Sequence, residues 1–315
     1  MARHHAQAVR QLGHDIVAVL AGPKSRGAAS FARDFPAPRI FSDRAEFFRQ
    51  LRSRELPLDA LVLCTPWDVT ENLALAALDA GLPLLAEKPL ALSEAQARAI
   101  MGHPQRERLL VGYNRRFYDF IPELSRRIRT RAPYLVEILS AEPYTAIVAE
   151  HGVRIAPYLP HFYTAHLVDL AAHLLGPLEC LSVRRLAEAS GRSALATFRA
   201  RASGCHVSLT VLMDCAQHSQ LKLYFDDGVV VLNPVEKMTA YDGISKVTTD
   251  GKTSYQLDQR ESVPTSDDLK PGILRQLQYF IDDFIVGSAP HPGAAAGIID
   301  LTRLCDQLSR GEMPQ

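Results

Sequence analysis

Leu82-Pro83-Leu84-Leu85-Ala86-Glu87-Lys88-Pro89 carries an apolar run straight into a charged turn. A run apolar at successive positions has no polar face, so it reads as a strand covered on both sides, the habit of parallel sheets. Pro89 ends the strand, because proline cannot donate to a ladder. Lys88 then stands at the C-terminal tip of the strand, where open α/β sheets bind ligands. Ser93 with Gln96 three residues on reads as the capping box of the next helix, Glu94–Met101.

The pattern repeats on both sides. Asp15–Leu20, Ala60–Cys64 and Leu109–Val111 are short buried strands. They alternate with helices over Ala2–Leu12, Ser25–Asp34, Arg44–Arg54 (capped by Asp43) and Thr70–Ala80. Apolar strands alternating with helices predict a doubly wound parallel sheet. After Tyr113-Asn114-Arg115-Arg116-Phe117 the pattern changes. A helix over Ile121–Arg129 and a strand over Tyr134–Ser140 lead into an irregular segment, Glu142–His161, and a helix over Tyr163–Leu175. From Cys180 the chain reads as antiparallel strands, with Asp226-Asp227-Gly228, Asp242-Gly243 and Asp250-Gly251 as turns. Helices over Ile273–Val286 and Ala294–Leu308 follow. The expected division is an α/β domain over 1–115 and an α+β domain with a large antiparallel sheet over 116–315.

Composition narrows the function classes. The 315 residues hold 35 Lys+Arg against 35 Asp+Glu, so bulk charge argues for no nucleic-acid partner. No apolar run is long enough to span a bilayer, so no membrane partner is expected. The five cysteines, Cys64, Cys180, Cys205, Cys215 and Cys305, are scattered and odd in number, with no Cys-x-x-Cys. A disulfide framework or zinc ribbon is not expected, and a reducing cytoplasm fits.

Four motifs in order resemble the Gfo/Idh/MocA family of nicotinamide-dependent oxidoreductases: Cys64-Thr65-Pro66, Ala86-Glu87-Lys88-Pro89-Leu90, Gly112-Tyr113-Asn114-Arg115-Arg116-Phe117, and His166-Leu167-Val168-Asp169-Leu170 leading to Leu175-Gly176. The resemblance implies hydride transfer between NAD or NADP and a sugar, sugar nucleotide or cyclic polyol. It places Lys88 where a cation stabilises the developing alkoxide and His166 where a base takes the hydroxyl proton. Thr65, Pro66, Glu87 and Lys88 are expected around the cofactor, while Trp67 either flanks it or caps the sheet. Tyr113, Asn114, Arg115 and Asp169 fall to the substrate, between the domains. His166, Asp169 and His173 share one helical stripe that can converge on an ion, but the resemblance implies no metal. It further implies a homodimer or homotetramer paired through the exposed face of the C-terminal sheet.

Departures from the family pattern shape the rest of the reading. A nucleotide-binding Rossmann half opens with a strand and a Gly-x-Gly-x-x-Gly turn. Met1–Val9 already reads as the first helix, so the expected fold is Rossmann-like with the first strand and glycine loop missing. After the Asp15–Leu20 strand no acidic residue awaits the ribose. Lys24, Ser25 and Arg26 suit a 2′-phosphate, which tilts the cofactor toward NADP. The family's histidine after Thr-Pro is Thr70, and Phe162 stands where many members carry a carboxylate one turn before the histidine. Two readings stay open: an oxidoreductase whose glycine loop lies upstream of Met1, or a catalytically degenerate relative that binds a small molecule or a partner protein.

Overall fold

The computed structural model describes residues 1–22, 25, 27–36, 39–187, 191–265, 269–287 and 297–310. In chain order the elements begin with α1 (Ala2–Gln11), β1 (Ala18–Leu20), α2 (Ala28–Asp34), β2 (Arg39–Phe41), α3 (Arg44–Arg52), β3 (Leu61–Leu63), α4 (Thr70–Asp79), β4 (Leu84–Ala86), α5 (Glu94–Met101) and β5 (Leu109–Val111). There follow α6 (Ile121–Thr130), β6 (Leu135–Glu142), α7 (Tyr144–His151), α8 (Leu159–Phe162), α9 (Thr164–Leu175), β7 (Leu178–Arg185), β8 (Ala194–Ala200) and β9 (His206–Met213). The chain continues through β10 (Gln220–Phe225), β11 (Gly228–Leu232), β12 (Lys237–Thr249), β13 (Lys252–Pro264), α10 (Ile273–Tyr279) and α11 (Ile298–Arg310). The described residues of Met1–Phe117 and Asp267–Ile299 form one unit, and those of Tyr118–Ser266 and Asp300–Gln315 a second.

The first unit is a Rossmann-like α/β layer. β3, β4 and β5 form a parallel sheet in that order, with Leu63, Ala86 and Val111 in line at its C-terminal end. Every residue of β4 and β5 is buried, as the unbroken apolar runs require. Leu85 and Leu110 pack in one cluster with Ala8 of α1 and with Ile273 and Leu277 of α10. α10 therefore belongs with the first unit, although it follows all of the second unit's strands in sequence. β1 and β2 make a separate parallel pair, and among the described residues no strand hydrogen-bonds β1 to β3. In the doubly wound order the strand joining those two pieces is the central one.

Caps fall where the sequence puts them. Asp43 accepts from the N–H groups of Ala45 and Glu46 at the head of α3. Ser93 accepts from Gln96 N–H, and Gln96 Oε1 reaches back to Leu92 N–H, one residue earlier than in a standard capping box.

The second unit is built on an eight-stranded sheet, order β13-β12-β11-β10-β6-β9-β8-β7. All neighbours are antiparallel except β6 and β9. Alternation is strict on β6, where Val136, Ile138, Ser140 and Glu142 are buried and the residues between are half-exposed. α9 packs on the buried face.

Two local expectations change. Glu142–His161, expected to be irregular, is largely helical: α7, a 3₁₀ stretch over Val153–Tyr158, then α8. Pro143 and Gly152 punctuate α7 rather than break it, the glycine taking φ 82° just past the helix end. Ile147 of α7 joins Ile155 and Leu159 in a small core, with Tyr144, Val148 and Phe162 against it. Asp242-Gly243 is no hairpin turn but part of a register irregularity inside β12. The hairpin turns at Asp250-Gly251, both with positive φ, 52° and 74°, as a two-residue primed turn needs.

No described helix is long and apolar enough to cross a membrane.

Candidate active site

Parallel pairing brings three of the sequence motifs side by side. Glu87 N–H donates to Leu63 O at 2.9 Å, and Gly112 N–H to Ala86 O at 2.7 Å. The turns after β3 (Thr65, Pro66, Trp67), after β4 (Glu87, Lys88) and after β5 (Tyr113, Asn114, Arg115) therefore leave one sheet edge together. Gly112 allows this closeness: a Cβ there would lie 3.1 Å from both Ala86 O and Glu87 Cα. The Lys88–Pro89 peptide is cis.

Each turn is pinned by its own bonds. Thr70, buried at the start of α4, donates to Pro66 O at 3.0 Å and lies 3.1 Å from Thr65 Oγ1. Threonine at this position thus closes the turn that carries Thr65, Pro66 and half-buried Trp67. Glu87 is buried, with Oε1 2.7 Å from His5 Nε2 on α1. Asn114 is buried too, and its Nδ2 donates to Pro271 O at 2.7 Å, which ties the segment before α10 to this turn. Arg116 stacks over the Tyr113 ring at 5.9 Å, and Arg115 keeps Nη1 buried with no acceptor among the described residues.

Electrostatics single out Lys88. Burial draws its pKa down to about 8; Lys270 and Arg115 push the same way, and Glu87 opposes them. The lysine can therefore hold or release a proton near neutral pH. Beside it, burial and then Glu87 push the Cys64 thiol up to about 12, so this sulfur is a packing group rather than a nucleophile.

Ser25 is exposed in the turn after β1, its N–H bonded to Gly22 O at 2.9 Å. Lys24 and Arg26 lie outside the described residues.

The fourth motif lies in the second unit. His166 and Asp169 sit on α9, both buried, at 6% and 3% exposure, while His173 on the same helix is exposed. The stripe read from helical spacing thus splits, its first two members turned inward and the third outward. Among the described residues no group of three His, Cys, Asp or Glu side chains is placed to hold a metal ion. Phe162 packs against the α7 and α8 core.

Sequence reasoning missed His5, Asn114's bond to the segment before α10, and Glu142. His5 carried a faint signal, a histidine inside an otherwise ordinary helix. Glu142 carried another, an acid at a position whose strand alternation points it inward.

Comparison with known proteins agrees with this architecture. Residues 1–114 match the model of the Gfo/Idh/MocA oxidoreductase family, described as an NAD-binding Rossmann fold. A curated relative, 4-carboxy-2-hydroxymuconate-6-semialdehyde dehydrogenase of a Sphingobium species, is 28% identical over 173 residues, 53% of this chain and 53% of the relative. The match thus spans about half the length of that protein. Among solved structures, UDP-N-acetylglucosamine 3-dehydrogenase from Acidithiobacillus ferrooxidans aligns over 97% of this chain and 92% of its own, with a TM-score of 0.71 and 19% identity. A myo-inositol dehydrogenase from Corynebacterium glutamicum aligns over 99% and 95%, at 0.70 and 18%. An oxidoreductase from Agrobacterium radiobacter, in complex with NAD+, L-tartaric acid and magnesium, aligns over 100% and 95%, at 0.75 and 14%. Residues 1–114 thus match the Gfo/Idh/MocA family's NAD-binding domain, and the chain as a whole shares the fold of these solved dehydrogenases.

Proposed function

We propose that this chain is an NAD- or NADP-dependent oxidoreductase that takes a hydride from a carbinol carbon, or returns it to the matching carbonyl carbon, of a sugar, sugar nucleotide or cyclic polyol. The observation that carries this reading is the convergence of Thr65–Trp67, Glu87–Lys88 and Tyr113–Arg115 on the C-terminal edge of one parallel sheet. That edge is where such sheets take their ligands. The unpartnered Arg115 Nη1 suits a ligand rich in acceptor oxygens. Thr65, Pro66, Trp67, Glu87 and Lys88 would hold the nicotinamide end of the cofactor. Ser25, with Arg26, would meet the adenosine ribose, and the basic character of that turn leans to NADP. Bound there, the nicotinamide supplies the hydride acceptor or donor.

The protein's own residues handle proton and charge. His166 takes the hydroxyl proton. The Lys88 ammonium stabilises the oxygen as it turns to alkoxide, and its lowered pKa lets it pass a proton on near neutral pH. Tyr113, Asn114, Arg115 and Asp169 orient the substrate hydroxyls, and the His5–Glu87 bond steadies the turn beneath Lys88.

The same reading includes a homodimer or homotetramer formed through the open face of the large sheet, and residence in the cytoplasm, where five unpaired thiols suit a reducing environment. A second reading, a relative that binds but does not turn over, is favoured by Phe162, which puts no carboxylate one turn before His166.

The test combines two measurements. NAD(P)H formation is followed with a panel of sugars, sugar nucleotides and inositols, for the wild type, Lys88→Ala and His166→Ala. Turnover lost in both variants is the expected result; turnover unchanged in both would overturn the assignment. Calorimetric titration with NAD(H) and NADP(H) separates the readings: cofactor binding without turnover of any substrate would favour the second.

A further inference from the structure

Glu142 is the last residue of β6, and its side chain turns into the face of the sheet that α9 covers. It is buried to 1% exposure. Its Oε1 accepts a hydrogen bond from Thr164 Oγ1, and the Thr164 backbone N–H adds another to the carboxyl group. The same Thr164 hydroxyl lies 3.0 Å from Ser140 Oγ, two residues back on β6. Oε2 has no partner.

Thr164 is the first residue of α9, and Tyr163 before it makes no side-chain cap. The first N–H groups of a helix need acceptors from outside it. Here one acceptor comes from the sheet, in the form of a carboxyl group, which the positive end of a helix dipole favours when ionised.

We propose that Glu142 is a positioning residue: from β6 it anchors the first turn of α9 through Thr164 and so holds His166 and Asp169 in their working places. The proposal rests on the reading of those two as site residues. Phe162, at the position one turn before His166, offers no carboxylate to that helix. Glu142 brings one to the head of the same helix from β6.

The anchor is sensitive to pH. Burial pushes the Glu142 pKa up to about 7, while its bonds from Thr164 pull the other way. Among the described residues, Tyr163 at the head of α9 and Cys305 on α11 feel its charge; Asp306, beside Cys305 on α11, lies 3.6 Å from His161 of α8. Burial and the charges of Glu142 and Glu150 raise the Tyr163 pKa. Burial, with Glu142 and Asp306, raises that of Cys305. Burial lowers His161 to about 4, so at neutral pH none of these four is a cation. An ionised carboxylate is a stronger acceptor than a neutral acid, so the hold on Thr164 tightens as the pH rises through 7.

The full chain tests this in two ways. In the first, the Thr164 backbone amide is followed by NMR from pH 5 to 9, which requires no substrate. It should move with a midpoint near 7 in the wild type and stay flat in Glu142→Gln. In the second, kcat and KM are measured across the same range. Glu142→Gln should lose about tenfold in kcat and lose the ionisation near 7, with KM changed by less than about twofold. Glu142→Asp should recover part of the loss. A wild-type Thr164 amide that does not titrate, or a Glu142→Gln enzyme with wild-type kcat and pH profile, would overturn the proposal. If Glu142→Gln does not fold, the wild-type amide titration decides. If the wild type turns over no substrate, the proposed function fails while the amide titration still tests the anchor.

Discussion

His5 Nε2 on α1 and Glu87 Oε1 beside Lys88 lie 2.7 Å apart, and both side chains are buried. The bond engages the carboxylate that precedes Lys88 and ties the turn after β4 to the first helix. Removing one partner of a buried pair leaves the other without compensation. His5→Ala is expected to lower stability by about 3 kcal/mol, read from urea unfolding. It is also expected to depress kcat, because the Glu87–Lys88 turn loses its anchor.

In the proposed reaction Lys88 sets one limb of the pH profile. With its pKa near 8, the cation that stabilises an alkoxide is lost as the pH rises past that value. Sugar oxidation should decline above about pH 8. Lys88→Arg, whose charge persists, should remove the decline, and Lys88→Met should cost about 10²–10³ in kcat. Initial rates from pH 6 to 10 provide the check.

Stability has its own pH dependence. The native Glu142 pKa, about 7, stands above its ordinary 4.5, so the folded state holds a proton that the unfolded chain has released. Stability from this group is full below 4.5 and is lost as pH rises to 7. His161 acts oppositely: native about 4 against 6.5, it costs stability as the pH falls from 6.5 to 4. Glu142→Gln should therefore flatten the decline between pH 4.5 and 7, and His161→Phe the decline below 6.5. Chemical denaturation at several pH values measures both.

His166→Asn is expected to lower kcat by about 10²–10⁴ with the fold intact, as loss of a general base does. Asp169→Asn should act mainly on KM if its task is to orient hydroxyls. Steady-state kinetics beside circular dichroism separates these outcomes from misfolding.

Ile244 and Leu257 form a cross-strand pair near the end of the β12–β13 hairpin, 66% and 57% exposed. A two-stranded ribbon needs further packing to be stable. If copies of the chain pair through this sheet, Ile244→Lys with Leu257→Lys should shift sedimentation toward a smaller species without unfolding the protein.

Much of the fold was legible along the chain, for local reasons. Leu84–Ala86 and Leu109–Val111 are apolar without interruption because both faces of a parallel strand are covered. Glu94–Met101 begins at Ser93 because a helix start needs an acceptor there. Tyr144–His151 was missed because Pro143 and Gly152 resemble breaks, although they bound a helix. Asp242-Gly243 was misread because a glycine serves a bulge as readily as a turn. The sequence also carried the resemblance that the family match over residues 1–114 supports for the first domain.

The sequence by itself determined the alternation of strand and helix, the switch to antiparallel strands, and the residue types at each strand tip. Those follow from periodicity and capping, which act within a few residues. Tertiary structure alone decided that His5 meets Glu87, that Asn114 holds the segment before α10, and that Glu142 caps α9 from a strand away. Such bonds join positions far apart in the chain, 82 residues for His5 and Glu87 and 157 for Asn114 and Pro271. They form because buried polar groups must find partners wherever packing brings them.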